Sequence, residues 1–457
     1  MPAFTLSQFL RGQKTQFLRD YGDGWTIVMG NEAGDLDSVA SSIGYAWYRS
    51  HAETQNIGGK TVALMPMPRS DFSLRAENVY ALEMAGVHEP FDELLCPEDL
   101  PPDHKGTDYA LVDHNNSHNS SNTRVVAVID HHEDEGKYHD TASPRIIEPA
   151  GSCASLVTRL FMSGSGHTSI PPDLAGLLLS AIAIDTRGLR EGGKALEVDR
   201  AAAAWLLGYV DPMKQTSLTG ESCVTQTPKE TDPSMSRETV DHTWLRALSD
   251  TLSSKKSAVS HLSTRDLLRR DYKQYTLELS PSLKQESGGV IQVGLATVPL
   301  PLSAFFKSGS AVVINATTSW TEERGLTILG VLTTYRSKKD KGRREQLWIV
   351  KKSKDAPQQQ TLTRALFDGV DGEASLELKP RRFSRYGFGK KGDATGNEED
   401  GDDDTSSHEG SATDKQPASA VNDSPFGDAF IARVYQQKNT HATRKQVAPL
   451  LKRILGG

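Results

Sequence analysis

Residues 125–129 read Val-Val-Ala-Val-Ile and run directly into Asp130, His131 and His132. An unbroken apolar run rich in β-branched residues is typical of a central strand in a parallel sheet that is covered on both faces. Sheets of this kind bind their ligands at the carboxyl ends of the strands. The triplet therefore falls where α/β proteins carry out chemistry, although a polar loop that merely ends a strand would also explain it.

A second polar motif follows the predicted strand at 25–29. Asp35 and Asp37 stand two residues apart in a turn that leads into a small-residue helix near 38–49. Both carboxylates could point at one cation. Alternatively, Asp37 or Ser38 caps the helix, which is a common role for either residue type.

Two further aspartates end apolar runs. Asp113 follows the strand at 109–112, and Asp185 follows an apolar run at 177–184 that suits either a helix or a strand. A carboxylate beside such a run is costly unless it is paired or binds a cation. Oxygen ligands with one imidazole suit Mg²⁺ or Mn²⁺, and two cations offset four carboxylates better than one does. The predicted ligand set is Asp35, Asp37, Asp113, His131 and Asp185.

The four motifs, in this order, resemble those of the DHH phosphoesterase superfamily, and the resemblance covers nearly the whole chain. Within it the chain is most similar to fungal-type exopolyphosphatases, with family-II inorganic pyrophosphatases and prune-type phosphohydrolases as related classes. The resemblance implies that the five residues are metal ligands and that Asp113 bridges two metals. It also implies that His132 is a catalytic residue facing the substrate phosphate.

Two positions separate the related classes. Asn31 stands where the pyrophosphatases carry a histidine ligand, whereas exopolyphosphatases and prune-type proteins have asparagine there. An amide oxygen is a weaker ligand than imidazole, so we expect the first metal to be held less tightly and pyrophosphate hydrolysis to be inefficient. Asn31 is predicted to be a substrate-binding residue. His132 stands where prune-type proteins usually have arginine, which argues against that class.

Basic residues in the second half of the chain suit a polyanionic substrate. The resemblance implies that Lys273, Arg444 and Lys445 bind phosphate, and arginine offers phosphate a planar fork of donors. Taken alone, these residues would also fit a solvated face. Two other basic stretches, 338–354 and 379–391, are either a track for a long polyphosphate or loop charge.

The net charge of −7 over 457 residues reflects one acidic segment. Residues 398–404 hold six acids within a Gly- and Ser-rich stretch, so we predict a disordered acidic insertion near 393–424. Three widely spaced cysteines predict no disulfides and a reducing compartment. With no apolar stretch of membrane-spanning length and no signal-peptide core, we expect a cytoplasmic protein with no membrane partner.

The predicted fold class is α/β with two lobes. Residues 1–222 alternate strands and helices, which predicts a parallel sheet. The resemblance implies that they form a DHH phosphoesterase domain. A linker at 223–241 leads to a smaller α+β domain at 242–457, the DHH-associated substrate-binding domain, with strands near 274–279, 290–298, 310–316, 325–334 and 346–350. The resemblance implies that the active site lies in the cleft between the lobes.

The predicted function is that of an exopolyphosphatase. It would remove terminal orthophosphate from linear inorganic polyphosphate with water activated by two divalent cations, Mg²⁺ or Mn²⁺. The alternatives are an inorganic pyrophosphatase or a prune-type short-chain phosphohydrolase with a partner-binding role. Nucleic acid is not an expected partner, because Gly288-Gly289 is followed by Val290 and not by the histidine typical of the nuclease branch. The sequence leaves the oligomeric state open and favours a monomer.

Overall fold

The computed structural model describes residues 5–51, 59–102, 107–116, 124–163, 170–210, 237–287, 289–337, 339, 341–352, 356–386 and 425–456. The chain divides into two compact units, Met1–Ala258 and Val259–Gly457. Most of the predicted linker, all of the predicted acidic insertion and Cys223 lie outside the described residues. None of the described helices is both long and apolar enough to cross a membrane.

The first unit contains a five-stranded sheet whose strand order is β2-β1-β3-β4-β5, and all its pairings are parallel. The strands are β1 Thr26–Met29, β2 Thr61–Leu64, β3 Asp108–Val112, β4 Arg124–Asp130 and β5 Arg145–Ile147. The helices are α1 Leu6–Arg19, α2 Leu36–His51, α3 Ala76–Met84, α4 Pro90–Glu93, α5 Cys153–Ser163, α6 Pro172–Thr186, α7 Glu197–Leu207 and α8 Arg237–Ser257.

Both faces of this sheet are buried. Successive side chains of a strand point to opposite faces, and here each face packs into its own core. Val28, Ala110 and Ile129 belong to the larger core, to which α2, α5 and α6 contribute. Ile27, Leu111 and Val128 belong to a second core with Phe17 of α1 and Trp25. The structure therefore confirms the parallel sheet predicted from the apolar runs. The ambiguous run before Asp185 is the helix α6.

The second unit contains a mixed sheet with the order β11-β12-β10-β8-β7-β6, and β9 pairs with β10. Of the pairings, β7–β8 is parallel and the others are antiparallel. The strands are β6 Tyr272–Glu278, β7 Val290–Val298, β8 Ile328–Thr333, β9 Tyr335–Arg336, β10 Gly342–Lys351, β11 Leu378–Arg381 and β12 Phe430–Gln437. The helices are α9 Thr264–Arg270, α10 Pro281–Ser287, α11 Leu302–Phe305, α12 Ser310–Glu323, α13 Ala356–Asp371 and α14 Arg444–Leu455.

The strand predicted at 310–316 is wrong, because these residues begin the helix α12. The β-branched run Val312-Val313-Ile314 suggested a strand. The buried residues of the segment, however, are Val313, Thr317, Trp320 and Thr321, whose spacing of four, three and one is helical. Packing of that face outweighed the local strand preference.

The division between the units falls later than the predicted start of the second domain at 242. Helix α8 belongs to the first unit, where Leu245, Leu248 and Leu252 are fully buried in the larger core. Its apolar residues therefore complete the first core.

Candidate metal centre

The predicted site residues that follow β1, β3 and β4 gather at the carboxyl ends of these three neighbouring strands, whereas Asp185 lies in the last turn of the helix α6. Strand β3 lies between β1 and β4, with Met29 level with Leu111 and Val112 level with Ile129. The residues that follow these strands are therefore brought to one edge of the sheet. Asp113 adopts a left-handed backbone conformation, φ 60°, which turns the chain immediately after β3. Aspartate tolerates this conformation better than most residues do.

The loop between β1 and α2 is held by residues that the motifs did not reveal. Gly34 has φ 54°, and a Cβ atom there would overlap the side chain of Met67. Its carbonyl oxygen accepts a hydrogen bond of 2.8 Å from Asn78 Nδ2, and the carbonyl oxygen of Ala33 accepts one from the guanidinium of the fully buried Arg75. Arg75 and Asn78 lie in a different part of the chain, so no local sequence pattern connects them with this loop.

Asp35 and Asp37 have different roles in the helix that follows. Asp35 Oδ1 accepts a hydrogen bond of 3.1 Å from the backbone N–H of Ser38, so Asp35 is the residue that caps α2, and not Asp37 or Ser38. Asp37 is 2% exposed and faces the start of α5 instead. It accepts hydrogen bonds from Ser152 Oγ at 2.7 Å, Cys153 N at 2.7 Å and Ala154 N at 2.9 Å. The amino end of a helix favours a negative charge at this position.

Asp113 uses its two oxygens differently. Oδ2 accepts hydrogen bonds from Asn31 Nδ2 and from Ser38 Oγ, each at 2.6 Å. Oδ1 lies 3.3 Å from His131 Nε2 and 3.7 Å from His132 Nδ1. Two protein donors therefore orient the carboxylate, while its other oxygen faces the two histidines.

His131 is oriented as a metal ligand would be. Its Nδ1 lies 3.1 Å from the carbonyl oxygen of Ala150, and a carbonyl only accepts hydrogen bonds. The neutral ring therefore carries its proton on Nδ1 and its lone pair on Nε2. That Nε2 atom lies 3.3 Å from Asp113 Oδ1 and 4.0 Å from Asp37 Oδ2. A carbonyl acceptor behind the ring is a common support for metal-ligating histidines.

His132 is held by the first residue of the triplet. Its Nδ1 lies 2.7 Å from Oδ1 of the buried Asp130. Asn115 Nδ2 donates to the other oxygen of Asp130 at 2.5 Å. Burial alone would raise the pKa of Asp130, but the hydrogen bond and charge of His132 outweigh it and hold that pKa below its ordinary value. Asp130 is thus an ionised support for His132.

The remaining carboxylates form a group of like charges. Burial raises the pKa of Asp37 well above its ordinary value, and the negative charges of Asp113, Asp185 and Asp35 add to the effect. Burial and Asp35 likewise raise the pKa of Asp185, against the opposing charges of Lys256, His131 and Lys194. The charges of the four other predicted ligands therefore all act on Asp37.

This donor set fits divalent cations. Among the described residues, Asp113, His131 and His132 offer ligand atoms that lie within 4.8 Å of one another. The surrounding carboxylates carry more negative charge than the histidines can offset, and the burial of Asp37 and Asp113 makes that imbalance costly. Carboxylate oxygens with imidazole nitrogen match the preferences of Mn²⁺ and Mg²⁺.

The predicted phosphate-binding residues belong to the second unit. Lys273 lies on β6, and Arg444 and Lys445 begin α14. Arg444 donates to Oδ1 of Asp271 at 2.8 Å and to the carbonyl oxygen of Asp271 at 3.0 Å. This pair ties the start of α14 to the residue before β6 and so connects Arg444 with the neighbourhood of Lys273.

Comparison with known proteins covers both units. A family model described as "DHH family, N-terminal domain" matches residues 25–182, and a model described as "DHHA2 domain" matches residues 250–454. The chain is 33% identical over 269 residues to a Schizosaccharomyces pombe protein named "Putative exopolyphosphatase", covering 55% of this chain and 60% of the relative. It is 29% identical over 254 residues to mouse "Exopolyphosphatase PRUNE1", covering 54% of this chain and 48% of the relative.

A third relative is the Lactococcus lactis "Probable manganese-dependent inorganic pyrophosphatase", 29% identical over 167 residues, with 35% of this chain and 48% of the relative covered. The matches to these three relatives thus span between 48% and 60% of the relatives' own length. The two family models match the chain in the same order as the DHH domain and the DHH-associated domain that the resemblance predicts. The chain belongs to the DHH superfamily.

Proposed function

We propose that this protein is a metal-dependent exopolyphosphatase that releases terminal orthophosphate from linear polyphosphate. The observation that carries the proposal is the group of Asp113, His131 and His132 at one edge of the sheet, with Asp37 4.0 Å from His131. Similarity to proteins named as exopolyphosphatases supports it. The proposed ligands are Asp35, Asp37, Asp113, His131 and Asp185.

Bound divalent cations would supply the positive charge that lowers the pKa of a water molecule and polarises a phosphoryl group. The protein's own residues supply orientation. Asn31 and Ser38 fix Oδ2 of Asp113, and Ala150 fixes the ring of His131. Asp130 holds Nδ1 of His132, so its Nε2 is the atom of that ring that we propose faces the substrate phosphate.

In the second unit we propose that Lys273, Arg444 and Lys445 bind phosphate. Arg444 is already engaged by Asp271, so its guanidinium is held in one orientation before substrate arrives. Pre-organised donors lose less conformational entropy on binding than mobile ones do. The pairing supports a positioning contribution of Asp271 to the phosphate contact.

The orientation of Asn31 favours polyphosphate over pyrophosphate. Its Oδ1 accepts a hydrogen bond of 2.9 Å from the backbone N–H of Ala33, so its Nδ2 group faces Asp113. An N–H donor cannot bind a cation. The position therefore lacks the metal ligand that histidine provides in the pyrophosphatases that the chain resembles.

The test is phosphate release from long-chain polyphosphate, tripolyphosphate, pyrophosphate and a dinucleotide, each with Mn²⁺ or Mg²⁺. We expect release from long chains to be fastest and the dinucleotide to be inert. His131→Ala should abolish release, whereas His139→Ala, a change at an exposed histidine of the same loop, should leave it intact. Fastest release from pyrophosphate would favour the pyrophosphatase alternative, and an inactive wild-type protein would refute both.

A further inference from the structure

Asp199 is a fully buried carboxylate that none of the metal-binding motifs includes. It lies in the first turn of α7 and accepts a hydrogen bond of 2.8 Å from the backbone N–H of Leu196 at the start of that helix. Its other donors come from the segment 151–155. They are Gly151 N at 2.8 Å, Ser152 N at 3.2 Å and Ser155 Oγ at 2.6 Å. Burying a carboxylate is costly unless donors compensate it, so these contacts make the segment 151–155 its chief partner.

The same segment supports two proposed metal ligands. The carbonyl oxygen of Ala150 accepts the Nδ1 proton of His131, which leaves Nε2 to face Asp113 and Asp37. Ser152 Oγ and the N–H groups of Cys153 and Ala154 donate to Asp37. Residues 150–154 therefore set the tautomer and orientation of one ligand and the orientation of the other.

The packing leaves this segment little room to move toward α7. A Cβ atom on Gly151 would lie 2.8 Å from Asp199 Oδ2 and 2.8 Å from Thr186 Cγ2. The backbone of Gly151 thus lies directly against the carboxylate. A change at Asp199 is transmitted to the segment without an intervening side chain.

We propose that Asp199 is a positioning residue for the metal centre. It anchors residues 151–155, and through them it fixes Asp37 and the ring of His131 before a cation binds. The inference rests on the proposed metal-binding function. Asp199 contacts neither Asp37 nor His131 in the hydrogen bonds described, yet it positions both through residues 151–155.

The experiment compares Asp199→Asn with the wild-type protein. Asparagine keeps the shape but replaces one acceptor oxygen with an N–H donor that faces backbone N–H groups. We expect the Mn²⁺ dissociation constant, measured by electron paramagnetic resonance without substrate, to rise about ten- to a hundredfold, the range found for residues that support metal ligands. The kcat for polyphosphate at saturating Mn²⁺ should change much less, because the ligands themselves remain.

The matched control is Asp173→Asn. Asp173 also lies in the first turn of a helix of the first unit and accepts a backbone hydrogen bond, from Leu6, but it has no contact with residues 150–155 among those described. A purely structural role would make both variants alike: each would lower the thermal unfolding temperature and leave the Mn²⁺ dissociation constant unchanged. An unchanged constant in folded Asp199→Asn protein would overturn the proposal.

A second variant guards against misfolding. Ser155→Ala removes one donor to Asp199 and should raise the Mn²⁺ dissociation constant by a smaller factor. If Asp199→Asn does not fold, an unchanged constant in Ser155→Ala overturns the proposal. The metal measurement is independent of substrate. An inactive wild-type enzyme whose Mn²⁺ affinity still depends on Asp199 would refute the exopolyphosphatase function and support the positioning role.

Discussion

At the scale of single residues, the chemistry of the centre depends on which atom each side chain presents. The side-chain amide of Asn31 contacts two neighbours. Its Oδ1 accepts a hydrogen bond from the backbone N–H of Ala33, so its Nδ2 is the atom that donates to Asp113. Asp130 is equally committed, since its Oδ1 accepts from the backbone N–H of His131 and from the ring of His132. Neither residue is a proposed metal ligand, yet both determine how the proposed ligands and the proposed catalytic residue His132 are presented.

Asn31→His should shift substrate preference toward pyrophosphate. An imidazole nitrogen with a lone pair would replace the N–H donor and add a metal ligand beside Asp113. We expect the ratio of kcat/KM for pyrophosphate to that for polyphosphate to rise about tenfold, equivalent to about 1.4 kcal/mol. Steady-state phosphate release measures the ratio. Asn116→His, a change at an asparagine that contacts Glu135, is the control, and an unmoved ratio in Asn31→His would contradict our account of specificity.

Asp130→Asn should impair catalysis through His132. The neutral amide keeps the size of the side chain but no longer provides a charged acceptor for Nδ1 of the ring. We expect kcat to fall by about ten- to a hundredfold, as for other residues that support a site from behind. Phosphate release at saturating substrate and metal is the measurement. The control is Asp134→Asn, a change at an exposed carboxylate that follows the triplet and pairs with Arg145 of β5; it should have little effect on kcat. Equal losses of kcat in Asp130→Asn and Asp134→Asn would count against the role of Asp130.

At the scale of elements, the centre depends on tight turns at the ends of strands. The turn between β1 and α2 delivers Asp35 and Asp37, and it needs glycine at position 34 for two reasons: the left-handed φ of 54° and the proximity of Met67. Gly24, just before β1, has a similar φ of 69° but no atom within 4 Å of an added Cβ. A substitution at Gly24 therefore tests the cost of the left-handed backbone alone, whereas one at Gly34 adds the cost of steric overlap with Met67.

Gly24→Ala should lower the free energy of unfolding by about 1 to 2 kcal/mol, the cost of a left-handed alanine. Gly34→Ala should lower it by about 1 to 3 kcal/mol more, because Met67 must move. It should also weaken Mn²⁺ binding, since the displaced turn carries two proposed ligands, whereas Gly24→Ala should not. Urea unfolding and a Mn²⁺ titration measure the two effects. Equal losses of stability in Gly24→Ala and Gly34→Ala would show that the side chain of Met67 moves aside without an energetic cost.

At the scale of the whole molecule, the first unit concentrates buried negative charge at one edge of its sheet. Folding raises the pKa of Asp37 above the ordinary aspartate value of 3.8, so the folded state binds this proton more readily than the unfolded chain does. The contribution of Asp37 to stability in the metal-free protein is therefore present below that value and is lost as pH rises through the raised pKa. A cation bound among the carboxylates would offset this loss.

Mn²⁺ alone, without substrate, should stabilise the protein at neutral pH. At a free concentration a hundred times the dissociation constant, the expected gain is about 2.7 kcal/mol. Thermal unfolding with and without Mn²⁺ measures it. Asp113→Asn should abolish the gain, because Oδ1 of Asp113 is the carboxylate oxygen nearest His131 Nε2 among the distances described. An equal gain in that variant would place the Mn²⁺ site elsewhere.

Much of the architecture could be predicted from the sequence because the relevant signals are local. Apolar runs that end in Asp113 and Asp130 predict buried parallel strands, and the structure has them. The strand prediction for 310–316 is wrong because a short β-branched stretch fits a strand or a helix, and only packing of Val313 and Trp320 decides between them. The strands β11 and β12 were not predicted at all.

The chemistry that this edge of the sheet can carry follows from the order of the residues, because carboxylates and imidazoles follow buried strands and parallel strands bring their ends together. How those groups are presented depends on contacts between distant parts of the folded chain. Asp37 receives its hydroxyl donor from Ser152, 115 residues away, and Asp113 receives its amide donor from Asn31, 82 residues away. Hydrogen bonds fix a side chain only when donor and acceptor are in place, and no local pattern encodes partners so distant in the chain. The Asp130-His131-His132 triplet predicts the candidate site, and the fold sets its geometry.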